Sequence, residues 1–276
     1  MVGYIADATI ESQIRLRFDA GYHDDFPDRA EFFYGQCGCN GGGAPGPSGL
    51  ATDLNFQQFS VDAQYAVTDR IAVFGTLPAR FIQPQSFFAP AIAGSFGNQS
   101  GIGDVRAGVK AALLSTDDTT LTAQVQGYFP TGDSSKGLGT NHSSLEFALL
   151  LNQKVSDRLA VESQVGDWHP ISGSTFKGSD YAGDVFFYGI GPSFELVNTG
   201  HVAFTPVVEL VGWHVSGGLR VRTGTVVSAN ANIVNLKFGA RTTIDNRSAI
   251  YVGYGRALTD AVWYSDILRI EYRYSF

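Results

Sequence analysis

Three short stretches carry side chains able to do chemistry. In "NHSS", residues 141–144, a histidine could take the proton of a serine hydroxyl, as acyl transfer requires. Neighbouring residues of a strand face opposite ways, so His142 can share a face only with Ser144, and Asn141 would have to orient the pair. Loops rich in Ser and Asn produce such neighbours commonly, so no catalytic residue is assigned. In "DWHP" and "GWHV", His169 and His214 each follow a tryptophan. The two could share a metal ion, but polar residues at a membrane interface are the simpler expectation, and no metal or other cofactor is expected. In "GQCGCNGGG", Cys37 and Cys39 have no further ligand in their loop. They read either as a strained bridge across Gly38 or as two thiols without chemistry.

The other chemistry on offer is electrostatic, and it runs the length of the chain. In the last eleven residues, "DILRIEYRYSF", Leu268, Ile270, Tyr272, Tyr274 and Phe276 alternate with Arg269, Glu271, Arg273 and Ser275. A β-strand turns successive side chains to opposite faces, so this segment has one apolar and one charged face. The same period of two sets Ile14, Leu16, Phe18 and Ala20 against Arg15, Arg17 and Asp19, and Val105, Ala107 and Val109 against Arg106 and Lys110.

Twelve alternating segments follow, at about 10–22, 56–67, 71–81, 102–114, 119–129, 143–154, 159–168, 184–197, 202–213, 232–244, 248–257 and 266–276. Their connections alternate between short and long. "TDR", "STDD", "SDR", "NTG" and "DNR" are tight turns, and the others are long and rich in Gly, Ser, Pro and Asp. No break in composition divides residues 1–276, which read as one domain.

The apolar faces could point inward, as in a soluble sandwich, or outward to lipid. Segments mostly of 10–13 residues exceed ordinary soluble strands and match a tilted crossing of a hydrocarbon layer of about 25 Å. Tight turns at one end with long loops at the other fit periplasmic turns and extracellular loops. Trp168, Trp213 and Trp263 fall at the long-loop rim, where an interfacial girdle is expected. Tyr65, Phe194, Phe204, Tyr274 and Phe276 would form the opposite belt. The fold expected is all-β, a transmembrane up-and-down antiparallel barrel of about 12 strands in a bacterial outer membrane.

Composition agrees. Charged residues are 16%, and no apolar run is long enough for a membrane helix. A net charge of −7 argues against nucleic acid as a partner. The chain does not open on a basic stretch followed by an apolar core, so an exported protein would be in its mature form here.

In such a barrel the charged faces line the lumen. The expected solute path is Arg15, Arg17, Asp62, Arg80, Asp104, Arg106, Lys110, Glu146, Glu162, Glu209, Lys237, Arg241, Arg269, Glu271 and Arg273. Both signs are present, so cross-strand salt bridges filling the interior compete with an open polar path. Twelve strands lie between barrels that close on their own side chains and those with aqueous channels. Residues 1–8, "MVGYIADA", could fold back as a plug or fray as an ordinary terminus. Pro78, Pro192 and Pro206 lie inside strands, mark bulges or kinks, and could open a lateral gap.

Three further motifs are "GIGD" (Gly101, Gly103, Asp104), "PTGDSSKGLG" (Pro130, Thr131, Gly132, Asp133, Lys136, Gly137, Gly139) and "DRL" (Asp157, Arg158, Leu159). With these, residues 101–166 resemble outer-membrane proteins of the phenol meta-degradation pathway. The resemblance implies a barrel-forming transporter of small, often hydrophobic or aromatic, solutes, and it assigns no functional residue. A structural or adhesive barrel with partner-binding loops and an outer-membrane hydrolase are the rival readings. The expected partners are the lipid bilayer, a small-molecule solute and the outer-membrane assembly machinery. The last of these would act through a C-terminal strand that ends on Phe276.

Overall fold

The computed structural model describes residues 4–25, 46–47, 49–172, 175–176, 179–222, 225–228 and 230–276. Cys37 and Cys39 lie outside the described residues.

Twelve antiparallel strands form the wall: β1 (Gln13–Asp24), β2 (Ala51–Ala66), β3 (Ile71–Phe87), β4 (Val105–Ser115), β5 (Thr119–Phe129), β6 (Ser143–Lys154), β7 (Leu159–Ser172), β8 (Asp184–Phe194), β9 (Val202–Ser216), β10 (Ala231–Ile244), β11 (Ser248–Ala257) and β12 (Asp266–Ser275). Each pairs with its neighbours in sequence. β1 also pairs with β12, from Gln13 opposite Ser275 to Tyr22 opposite Asp266, so the sheet closes on itself. Closure leaves no edge strand, a requirement for sheet in a membrane.

Alternation decides which way each side chain points. Ile14, Leu16, Phe59, Val61, Val109, Phe147, Leu210, Phe238, Val252 and Ile270 are exposed, while Asp62, Arg80, Arg106, Lys110, Glu209 and Glu271 are buried. This inverts the soluble arrangement: the exterior is an apolar belt and the core is charged.

The turns follow local chemistry. At "DNR", Asp245 and Asn246 both take positive φ, 50° and 55°. This is the primed geometry that matches the twist of a tight hairpin. The longest strands, β2 at 16 and β3 at 17 residues, extend well above the expected ends at the long-loop side. The loop after β3 holds one helical turn, Pro90–Ala93, and a short strand, Gln99–Ile102.

Pro78 marks the one change of partner along β3. Below it β3 pairs with β4 up to Thr76 opposite Arg106; above it, Ala79 opposite Ile102 begins pairing with Gln99–Ile102, one residue out of register. The carbonyl of Pro78 still accepts the N–H of Gly103 at 2.9 Å, and Ser60 faces Pro78 in an uninterrupted ladder on the other side. Pro192 faces Val161, and Pro206 faces Ala240, in continuous ladders. On their other side, between β8 and β9, pairing passes from Ile190 opposite Leu210 to Ser193 opposite Val207, skipping Gly191 and Pro192, and Pro206 has no partner in that ladder, so the wall is continuous on one side only of Pro192 and Pro206. A bulge absorbs the donor that Pro78 lacks.

Candidate functional site

The interior is a polar lumen crossed by the N-terminal segment. All fifteen charged residues expected along the lumen point inward, and most are paired across strands. Arg17 Nε donates to Glu271 Oε2 at 2.9 Å, and Arg269 grips Asp19 with two bonds of 2.7 and 3.0 Å. Arg15 lies 3.7 Å from Asp62, which also accepts Thr76 Oγ1 at 2.6 Å. Glu146 accepts the Tyr128 hydroxyl and Gln124 Nε2, the latter at 3.1 Å. Charges withdrawn from bulk water this far need such partners.

Residues 4–9 run up the lumen from the short-turn end. The backbone N–H groups of Tyr4 and Ile5 donate to the Glu209 carboxylate at 2.9–3.0 Å, and Ala6 N–H donates to Gln164 Oε1 at 2.8 Å. Lys110 Nζ donates to the Asp7 carbonyl at 2.6 Å, Thr122 Oγ1 to the Ala8 carbonyl at 2.6 Å and Gln64 Nε2 to the Thr9 carbonyl at 3.0 Å. The Tyr4 ring has Lys237 Nζ 3.5 Å from its centroid and the Arg269 guanidinium carbon at 4.0 Å, two cation–π contacts on one ring. Ile5 is buried against Gly189 and Gly191, where any Cβ would stand 3.1 Å from its side chain. This departs from an ordinary frayed terminus, the first expectation for this stretch: residues 4–9 fold back into the barrel. What the sequence hides is that the binding donors and acceptors come from five different strands.

Beside the segment lies a cavity of about 190 Å³. Charged walls carrying Arg15, Arg106, Lys110, Asp62 and Glu146 meet aromatic ones carrying Phe56, Phe74, Phe187, Trp213, Trp263 and Tyr264.

The tryptophans require a correction. Trp168, Trp213 and Trp263 are at the long-loop end but inside it, 6%, 8% and 2% exposed, and not in a lipid-facing girdle. Trp213 packs on Trp263 with centroids 5.3 Å apart, and Trp168 meets Tyr128 edge-on at 6.0 Å. Period two explains this: Trp213 shares the parity of Glu209, and Trp168 that of Glu162, so they must face the lumen with them. Tyr274 and Phe276 face outward at the short-turn rim, with rings 6.4 Å apart, and Tyr65, Phe194 and Phe204 are exposed.

The glycine-rich motifs form one knot at the lumen wall. Asp104 accepts Gly132 N–H at 2.9 Å, Thr140 N–H at 2.7 Å and Thr140 Oγ1 at 2.8 Å, which folds the loop of residues 130–142 over the wall. Arg80 donates to Gln58 Oε1 at 2.7 Å and to the Leu138 carbonyl at 2.8 Å. A Cβ on Gly139 would meet Asp104 Oδ1 at 2.5 Å, so only glycine fits there. Asp133 accepts from Ser135, caps the turn Ser134–Lys136, and is held below the usual carboxylate range by that hydrogen bond.

His142 and Ser144 both point inward and are buried. His142 Nδ1 lies 2.9 Å from the Thr140 carbonyl, and its ring packs edge-on against Trp168 and Tyr181. That setting uses the imidazole as packing. His169 and His214 do not converge. His169 contacts Asp184, with Asp167 completing a group whose donor atoms lie within 4.8 Å of one another, while His214 pairs with Asn232 at 2.6 Å. Both sets face outward from the wall, away from the lumen.

No family model matches the chain, and no curated protein does. Solved structures do. An outer membrane channel from Pseudomonas putida F1 superposes with a TM-score of 0.61 at 16% identity, over 100% of this chain and 99% of that one. The beta domain of the Bordetella autotransporter BrkA matches at 0.54 and 12%, over 96% of this chain and 100% of its own. The NanC porin matches at 0.53 and 9%, over 95% and 100%. At these identities the likeness is one of fold. The chain is an outer-membrane-type β-barrel.

Proposed function

We propose that the protein is a channel of the bacterial outer membrane that passes small solutes, with residues 4–9 as a stopper that must leave the lumen for the path to open. One observation carries this: the segment lies across a polar lumen and is held by hydrogen bonds, cation–π contacts and an ion pair to side chains that the wall presents toward it. Ordering six residues costs about 6–12 kcal/mol in backbone entropy, which opposes these contacts and favours release of the segment.

The fifteen charged residues named above are the solute path in this reading, and the chain from 1 to 276 works as one unit. The aromatic side of the cavity suits a small solute with an apolar or aromatic part, as the resemblance to the phenol meta-degradation proteins also implies. The P. putida relative is itself described as a channel. The buried packing role of His142 speaks against hydrolysis. Single-channel recording and liposome uptake of phenol, for the chain and a variant lacking residues 4–11, test the reading. Greater flux in the truncated form supports it. No flux of any solute through either would favour a structural barrel.

A further inference from the structure

The stopper's only carboxylate within the lumen strands' reach, other than Glu11 at its base, is Asp7, and the wall has arranged cations around it. Asp7 is 1% exposed. Arg273 Nη1 donates to Asp7 Oδ2 at 3.1 Å and reaches Glu11 Oε1 at 3.3 Å. Lys110, whose ammonium holds the Asp7 carbonyl, also attracts its carboxylate, as do Arg15 and Arg241. These cations stand on β1, β4, β10 and β12, so the belt surrounds the segment on several sides.

The acids of the same level do not neutralise the belt. Glu271 is engaged by Arg17 at 2.9 Å. Asp62 and Glu162 remain, facing Arg15 and Arg241. With Asp7 in place, four cations meet the four carboxylates of Asp7, Glu11, Asp62 and Glu162; with residues 4–9 withdrawn, four cations face three. Like charges at close range in a lumen of low dielectric repel strongly, so an uncovered belt is a site for an anion.

We infer that the belt of Arg15, Lys110, Arg241 and Arg273 is an anion site whose built-in occupant is the Asp7 carboxylate, and that the solutes taken by the open path are small organic carboxylates. A solute carboxylate competes with Asp7 for the belt and thereby loosens the stopper. The electrostatic reward for seating the stopper and the selectivity of the open pore come from the same four side chains. This rests on the channel reading, and deepens it by naming the solute class.

The test uses the full chain in planar bilayers, with the Asp7→Asn variant and the double variant Lys110→Gln/Arg273→Gln. Heat-modifiable electrophoretic mobility confirms that each barrel is folded. Asp7→Asn is expected to raise open probability several-fold and to give a reversal potential that favours anions. Acetate or benzoate added to the unaltered chain should raise its open probability at constant ionic strength, and benzoate exceeding acetate would place the solute's ring against the aromatic wall. In the double variant both the anion preference and the carboxylate response should be lost. A conducting Asp7→Asn channel without anion preference, or an unaltered chain indifferent to both carboxylates, overturns the inference and leaves the channel standing. A folded Asp7→Asn barrel that never conducts, together with a silent variant lacking residues 4–11, overturns the inference and the channel reading alike.

Discussion

Glu209 accepts the backbone N–H of Ile5 at 2.9 Å, a buried bond between residues 204 apart in the chain. The same carboxylate takes the N–H of Tyr4, so a single side chain on β9 anchors the tip of the segment within the lumen. Hydrogen bonds to a charged acceptor contribute about 1.5–3 kcal/mol each. Glu209→Ala is therefore expected to release the tip while the barrel stays folded. Hydrogen exchange at the Tyr4 and Ile5 amides would rise by about tenfold or more, with unchanged strand protection; protection equal to that of the parent chain would refute the anchoring role.

Gly191 makes room for this arrangement. A Cβ there would stand 2.8 Å from Glu209 Cγ and 3.1 Å from Ile5 Cδ1. Gly191→Val should displace both groups and raise conductance without altering the migration of the folded barrel. A channel as closed as the parent would show that Ile5 can repack.

Asp104 fastens the loop of residues 130–142 by three hydrogen bonds. Removing a buried acceptor strands its donors, at about 1–3 kcal/mol per group. Asp104→Ala should expose the loop to protease between Pro130 and Asn141 and lower the Tm. Asp104→Asn should lie between the two, since an amide oxygen still accepts.

The cap at Asp133 carries a pH dependence whose sign follows from its environment. The Ser135 hydrogen bond lowers its pKa in the folded state. Its contribution is thus fully present above the ordinary carboxylate value, about pH 4, and is lost as the pH falls through the lower, folded value. NMR of the Ser135 amide should show the turn intact at pH 5 and released in strong acid, and Asp133→Asn should abolish that transition.

Phe276 ends the closing strand, and its N–H donates to the Ser12 carbonyl at 3.0 Å, beyond the last paired residues of β1 and β12. We expect deletion of Phe276 to impair membrane insertion, read as loss of the heat-modifiable form. Normal insertion would remove the C-terminal residue from the assembly signal.

Much of this was legible because period two is a strict rule. Once Arg15 and Arg17 are known to face one way, every second residue around the closed sheet is fixed, and all fifteen charged positions follow. The tryptophans were misplaced because a preference of indole for interfaces was set above that rule, although Glu209 and Trp213 differ by four residues on one strand. The N-terminal segment was not legible, since "YIADAT" has no pattern of its own. Its conformation is written in Gln64, Lys110, Thr122, Gln164 and Glu209, which are distant in sequence and alike in nothing but the side of the wall they face. Gly101, Gly132 and Gly139 read as turn residues, whereas the structure uses Gly132 and Gly139 for the close approach of one loop to Asp104.

The zipper between β1 and β12 has a mechanical corollary. Gln13 and Ser275 stand together at the short-turn end, and residues 4–9 lie in the lumen beyond that mouth. The segment is thus tethered at the short-turn mouth, and with that mouth periplasmic, as the channel reading has it, there is one direction of exit. Something pressing from outside drives it along its way out, whereas anything pressing from within drives it home. In the channel reading proposed above, the barrel would work as a check valve, yielding to inward traffic and seating against leakage from the cell.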